Sequence, residues 1–402
     1  MRCFFLSRTS LFFIIFISAF IIRLLAIINI PIEYQQPKSD AAEYDRLAIT
    51  LLTTKSFSAP SGMPTAYRTP LYPLFLAGIY FIFGHSYFWA RFFQVILYSF
   101  LCLIVYRIGE TLFNKSVALL SSFMCVVYKP FIFFSYYGGP AFLLTEHLFI
   151  FLFALSILFL ARLYRTKAVL DALFSGIFIG LATLSRPVTT LFPLFLLFWF
   201  LFCLKSTMKR RLKLYAILCV SFLFIIMPWT IRNYCIFKQF IFATTESGKL
   251  FWLGNNAFAK GGYSGNVIKA VQYNQRISRE KDEVTLSRLY FQEGFNFLIK
   301  NPKKIPTLFL KKILIFWHCM GDGVLNFYYL ILLPLFIFGF FISFRKFDIG
   351  GILLLAIIFL YFMFISMCFF GDPRFRYPIE PYIIIFGSMG ILHFLSQKGL
   401  VK

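Results

Sequence analysis

Hydrophobic and polar positions alternate on a long scale in this chain. Apolar stretches of about 20 residues recur from end to end, each long enough for a helix across a bilayer's hydrocarbon core. Short polar links separate them. The pattern predicts spans at about 11–31, 87–112, 116–136, 142–163, 169–185, 188–204, 213–233, 326–344, 350–370 and 378–396. The expected fold class is therefore an all-α polytopic membrane protein with about ten transmembrane helices.

Two further apolar segments are set apart as helices lying in the outer interface. "TPLYPLFLAGIYFIFG" (69–84) is short and carries Pro70 and Pro73 in its first turn. "KKIPTLFLKKILIFWHCM" (303–320) carries Lys303, Lys304, Lys311 and Lys312. A third amphipathic helix is expected at 40–54, where Tyr44, Leu47, Ala48, Leu51 and Leu52 follow helical spacing. Asp40 reads as its N-cap and Glu43 as completing a capping box.

Composition supports the class. The chain is 60% hydrophobic and only 14% charged, with 58 Phe; soluble globular domains carry about 25% charged residues. The net charge of +24 does not point to nucleic acid, because Lys and Arg fall in short clusters between apolar runs. Those clusters are Arg8, 107–115, 161–167, 205–213, 345–346 and the terminal "QKGLVK". With ten spans all of them lie on one side, which the positive-inside rule makes cytoplasmic, both termini included. Lys and Arg near the head groups also meet membrane lipids.

The N-terminal run is too long for a signal core, and Arg23 interrupts it, so it reads as a retained first span. The 8 Cys are scattered without CxxC pairs and read as small buried hydrophobes; Cys235 and Cys319 lie on one side, where a bridge is conceivable. The Asn114 sequon falls in an inner loop. Three regions are expected: a membrane module at 1–233 with its outer loop at 32–86, an outer region at 234–325, and terminal spans at 326–402.

Carboxylates are scarce, 16 against 40 Lys and Arg, so their gathering on the outer side carries information. The outer loop opens on "KSDAAEYDRL", with Asp40, Glu43 and Tyr44. A carboxylate at a helix N-terminus stays ionised, which suits a proton acceptor. Arg68 in "YRTPLYP" either snorkels to lipid phosphate or grips the phosphate of a lipid-linked substrate. Glu146 opens the fourth span, as an end cap or as a cavity residue; His147 beside it faces elsewhere. Arg186 ("TLSRPVT"), Arg232 and Asn233 ("PWTIRNY"), and Asp372, Arg374, Arg376 and Glu380 ("GDPRFRYPIEP") sit at outer span ends. So many ionisable groups at one depth argue for a polar cavity. No Walker loop, GxGxxG, HExxH, DxD or CxxC is present. A nucleotide-driven machine is thus disfavoured, and a substrate arriving through the bilayer fits.

The order of "DAAEY", "RTPLYPLFLA", "TEHLF", "LSRP", "PWTIRN", "WLGNN" and "RFRYPIEP" resembles the GT-C glycosyltransferases. It is most similar to the bacterial group related to protein O-mannosyltransferases and the lipid A aminoarabinose transferase. The resemblance implies transfer of a sugar from a polyprenyl-phosphate carrier to a lipid, glycan or protein acceptor on the outer face of the membrane. In this sequence Asp40 matches the family's catalytic Asp, while Ala41 stands where a Glu is usual. Arg68 matches the basic residue before Pro, and Glu146 an acidic position at the fourth span. The implied reaction inverts the anomeric carbon, with Asp40 as general base and arginines on the leaving phosphate. Arg68, Arg186, Arg232 and Arg374 are the phosphate candidates; Glu43, Tyr44, Asn233 and Arg376 complete the expected substrate site. No cofactor is expected beyond the lipid-linked sugar, and a monophosphate carrier needs no metal in principle. Phe- and Ile-rich composition without long lumenal insertions favours a bacterial inner membrane. Two alternatives stay open: a ligase or polymerase of lipid-linked oligosaccharide, and a transporter without chemistry.

The topology is checked with single cysteines in a background lacking the native ones. Pro60→Cys is expected to react with an impermeant maleimide in intact cells, and Lys209→Cys only after permeabilisation.

Overall fold

The computed structural model describes residues 7–31, 35–59, 61–132, 142–263, 271, 275–321, 324–325 and 327–399. The end of the 116–136 segment, part of the 254–266 glycine-rich stretch, Cys3 and the last three residues lie outside them.

Among the described residues the chain is almost wholly helical; its sheet is a two-stranded hairpin pairing Met320 with Leu325. In chain order the helices are α1 (Arg8–Ile28), α2 (Asp40–Thr54), α3 (Leu71–Phe83), α4 (Tyr87–Leu112), α5 (Lys115–Val127), α6 (Glu146–Thr166), α7 (Val169–Ser185) and α8 (Phe192–Phe202). Then follow α9 (Met208–Phe237), α10 (Glu246–Gly254), α11 (Gln275–Arg279), α12 (Glu283–Lys300), α13 (Ile305–Trp317), α14 (Phe327–Lys346), α15 (Ile349–Cys368) and α16 (Glu380–Gln397).

Helices α1, α4, α6, α9, α14 and α15, and the stretch 373–397 holding α16, are long and apolar enough to cross a membrane. Shorter apolar helices cover three more predicted spans, α5, α7 and α8. Helix α5 stops at Val127, earlier than its hydrophobic run suggested. Pro130 follows in a 3-10 turn, where its ring and missing N–H oppose α-helix continuation. Helices α3 and α13, set apart in sequence, have 13 residues each.

Both ends of the bundle are organised by polar contacts between segments predicted to share a side. At the basic end Arg8 meets Glu110 at 2.5 Å, Lys205 meets Asp348 at 2.7 Å, and Arg210 donates to the Lys167 carbonyl at 3.0 Å. At the opposite end Glu146, which opens α6, pairs with Arg374, and Thr69, beside Arg68, donates to the Ser185 carbonyl at the end of α7 at 2.8 Å. Between these ends lies one continuous apolar core running from Leu11 in α1 to Met389 in α16. The hydrogen bonds within each helix satisfy the backbone internally, as a bilayer requires. Within the core Trp199 donates its indole N–H to the Gly350 carbonyl at 2.8 Å. A smaller apolar cluster around Trp252, Leu253, Tyr290 and Phe370 joins α10 and α12 to the loop before α16.

Helices α14 and α16 approach closely because Gly339 has no side chain. A Cβ there would overlap the Phe386 carbonyl. Gly339→Ala is expected to destabilise the protein by about 1–3 kcal/mol through overpacking. Gly78→Ala, where a Cβ meets nothing within 4 Å, should leave the melting temperature in detergent unchanged.

Candidate active site

The site starts from an unusual backbone. Ser39 adopts φ 51°, a left-handed value that costs free energy in a residue other than glycine. It turns the chain so that Asp40 becomes the first residue of α2. The expected capping box does not form: Ser39 makes no side-chain cap, and both Asp40 and Glu43 turn to arginines instead. A charge-assisted bond to a guanidinium is stronger than a cap to a neutral N–H, so the local signal is overridden.

Arg68 is the hub. Its Nη2 lies 2.8 Å from Asp40 Oδ1 and 2.6 Å from Glu43 Oε2, and its Nε 2.9 Å from Glu43. Its Nη1 donates to both oxygens of Glu246, at 2.8 and 3.0 Å. The rings of Tyr44 and Tyr67 flank the guanidinium carbon at 5.2 and 5.3 Å, adding cation–π attraction. Glu43, two residues beyond Ala41 where a second acid is usual, reaches the same arginine. The other side of Asp40 is held by Arg374, whose Nη1 is 3.2 Å from Oδ2. Arg374 also pairs through Nε with Glu146, and Glu146 pairs with Arg186.

Burial raises the pKa of Asp40, but Arg68 and Arg374 more than offset it, and the carboxyl stays below its ordinary 3.8. This carboxylate therefore stabilises the fold above the unfolded value, and the contribution is lost as pH falls through the folded pKa. Glu246 moves the other way: burial raises its pKa and the shared Arg68 only partly opposes it. The Tyr44 phenol is pushed up to about 12, chiefly by burial.

Asp40, Tyr44, Arg68, Arg186, Glu246 and Arg374 line the polar end of a cavity of about 570 Å³. Its other walls are Val188, Leu191, Phe240–Phe242, Leu250, Phe291, Ile365 and Phe369–Phe370. A charged head joined to a long apolar tail matches that division.

Not every expected residue arrives here. Glu146 is fully buried behind Arg186 and Arg374 and does not line the cavity; it orients the two arginines. Arg232 binds the carbonyls of Thr65 (2.8 Å) and Phe57 (2.6 Å) and lies over Trp229. Asn233 donates to the Ile241 carbonyl. Arg376 is buried over the Tyr329 ring, bonded to the carbonyls of Phe316 and His318 and paired with Glu380 at 3.5 Å. These three satisfy loop backbone rather than a ligand. The sequence reading missed Glu246, although an acid opening the helix in "TTESGKLFW" was a visible signal. It also missed Glu283, which accepts from Thr65, Ala66 and Thr245 and clips the outer segments together. Among the described residues no group of three His, Cys, Asp or Glu side chains is placed to hold a metal ion.

The family model for dolichyl-phosphate-mannose-protein mannosyltransferases matches residues 67–231. The archaeal oligosaccharyltransferase AglB from Archaeoglobus fulgidus, solved with an inhibitory peptide and a dolichol-phosphate, superposes with a TM-score of 0.62 at 11% identity, over 97% of this chain and 50% of AglB. This chain has the GT-C fold. It spans about half the length of AglB. The same enzyme tethered to an acceptor peptide containing the NVT sequon gives a TM-score of 0.61 at 13% identity, over 97% of this chain and 50% of that one. ArnT from Cupriavidus metallidurans bound to undecaprenyl phosphate covers 96% of this chain and 78% of its own length at 12% identity, with a TM-score of 0.47. Among curated proteins none matches the sequence. Within the GT-C frame, Arg68, Glu146 and Arg186 fall inside the matched stretch, and Asp40, Glu246 and Arg374 fall outside it.

Arg68→Ala is expected to cost about 2–4 kcal/mol. That is below the figure for a fully buried pair, because Asp40 and Glu43 keep 36% and 41% of their side-chain surface exposed. Adding Glu246→Gln should restore part of the loss, since one unpaired buried carboxylate is then removed. Thermal unfolding of the single and double variants in detergent reads the coupling.

Proposed function

We propose that the protein transfers a sugar from a polyprenyl-phosphate carrier to an acceptor hydroxyl, at the outer face of a bacterial plasma membrane. The observation that carries this reading is the Asp40 carboxylate. It is held ionised between Arg68 and Arg374 in a cavity whose walls are otherwise mostly apolar. The cavity suits a donor whose sugar and phosphate lie among charged groups and whose prenyl chain runs along phenylalanines. The fold likeness and the mannosyltransferase family match support the same substrate class.

In this reading the acceptor oxygen attacks the anomeric carbon while the bond from that carbon to the phosphate oxygen breaks. The phosphate leaves with the bonding pair, and the acceptor proton passes to Asp40. Attack from the face opposite the leaving group gives inversion. A carboxylate of low pKa is a weak base, yet the acceptor hydroxyl becomes acidic as its oxygen bonds to the electron-poor carbon, so the proton moves late. Negative charge grows on the phosphate, and preorganised guanidiniums lower that barrier without reorganising. Because guanidiniums meet the phosphate charge, this scheme requires no metal.

Asp40→Asn keeps size and loses basicity. Transfer is expected to fall about 100- to 10,000-fold with abundance in the membrane unchanged. The readout is mass spectrometry of cell-envelope glycans, lipids and proteins from cells carrying the wild type, the variant or no copy. A wild-type glycan profile in the variant would remove Asp40 from the mechanism, and identical profiles with and without the gene would overturn transferase activity.

A further inference from the structure

We infer that Arg288 receives the phosphate of the polyprenyl carrier, an assignment that rests on the transferase reading above. The charges at the polar end of the cavity do not balance. Asp40, Glu43, Glu146 and Glu246 supply four negative charges, and Arg68, Arg186 and Arg374 three positive ones, every one of them already in an ion pair. A phosphodiester donor brings one further negative charge, and its departing monoester a second. Such a ligand is not held by that cluster unaided; it needs a cation whose charge is not already spent.

Arg288 lines the same cavity. Among the described residues its side chain makes no hydrogen bond or close ion pair, and it acts electrostatically on Asp282, the exposed N-cap of α12. It lies on α12, where Val284, Ser287, Arg288 and Phe291 all line the cavity, the i, i+3, i+4, i+7 spacing of one helix face. That face is mixed, with one guanidinium between two apolar side chains. A phosphate on Arg288 thus leaves the first prenyl units against Val284, Phe291 and, from α10, Leu250. Guanidinium offers phosphate a planar pair of donors, which suits this geometry better than a lysine.

The position of Arg288 relative to the charged cluster is fixed by packing. Ser287 Oγ donates to the Thr245 carbonyl at 2.5 Å. Gly248 lets the two helices meet, since a Cβ there would overlap the Ser287 carbonyl. Helix α10 in turn holds Arg68 through Glu246. Arg288 and Asp40 are therefore parts of one rigid wall, facing one cavity from different elements.

The test uses the full chain purified in detergent and two probes, polyprenyl monophosphate and the corresponding polyprenyl alcohol. Arg288→Ala is expected to weaken binding of the monophosphate about 10- to 100-fold, the range for losing a hydrogen bond to a charged group. Binding of the alcohol should be unchanged, and Arg288→Lys should recover part of the affinity. Arg288→Gln, close in size and uncharged, should repeat the Ala result, and the melting temperature of each variant confirms that it is folded. Monophosphate binding that is equal in wild type and both neutral variants would overturn the assignment while leaving the transferase reading intact. Failure of the wild type to bind the monophosphate at all would overturn both.

Discussion

One guanidinium ties together the segments that build one end of this helical bundle. Arg68 lies on the loop between α2 and α3 and binds Asp40 and Glu43 of α2 and Glu246 of α10. The Glu246 partner is 178 residues away in sequence. A buried charge is tolerable only when it is paired and hydrogen-bonded. Glu246, the most buried of the three carboxylates, has Arg68 as its ion-pair partner, and Asp40 and Glu43 share that same guanidinium. The first outer loop, the start of α10 and the cavity between them are consequently one structural unit.

That arrangement also explains why Asp40 sits where it does. A free helix start would direct its carboxylate at backbone N–H groups of its own first turn. Here the left-handed Ser39 and the pull of Arg68 and Arg374 turn it toward the cavity. The cost of a strained residue and of a forgone cap is offset by charge-assisted bonds. The second layer, Glu146 between Arg374 and Arg186, keeps those arginines aimed without entering the cavity. Charge is thus gathered on one part of the cavity wall, and phenylalanines supply much of the rest.

The basic residues divide by what they satisfy. Arg232 and Arg376 bond to backbone carbonyls of irregular segments that helices leave unpaired. Arg68, Arg186 and Arg374 bond to carboxylates. In sequence all five look alike: an arginine at or near the end of a hydrophobic run. Their roles separate only when the partner atoms are in place.

Read along the chain, the hydrophobic pattern was enough to assign the all-helical membrane class and the approximate positions of the main apolar helices. Hydrophobic length and the distribution of Lys and Arg act locally, and local physics is legible residue by residue. It also nominated Asp40, Arg68, Arg186 and Arg374, because ionisable groups at span ends are conspicuous against an apolar background. Tertiary structure alone decided which of those groups meet. It replaced the capping box by an ion cluster, brought Glu43 and Glu246 onto Arg68, withdrew Glu146 behind the cavity and assigned Arg232, Asn233 and Arg376 to loop backbone. The reason is that an ion pair is set by distances of about 3 Å between side chains, and no pattern along the chain encodes which distant segments the packed helices will place at that separation.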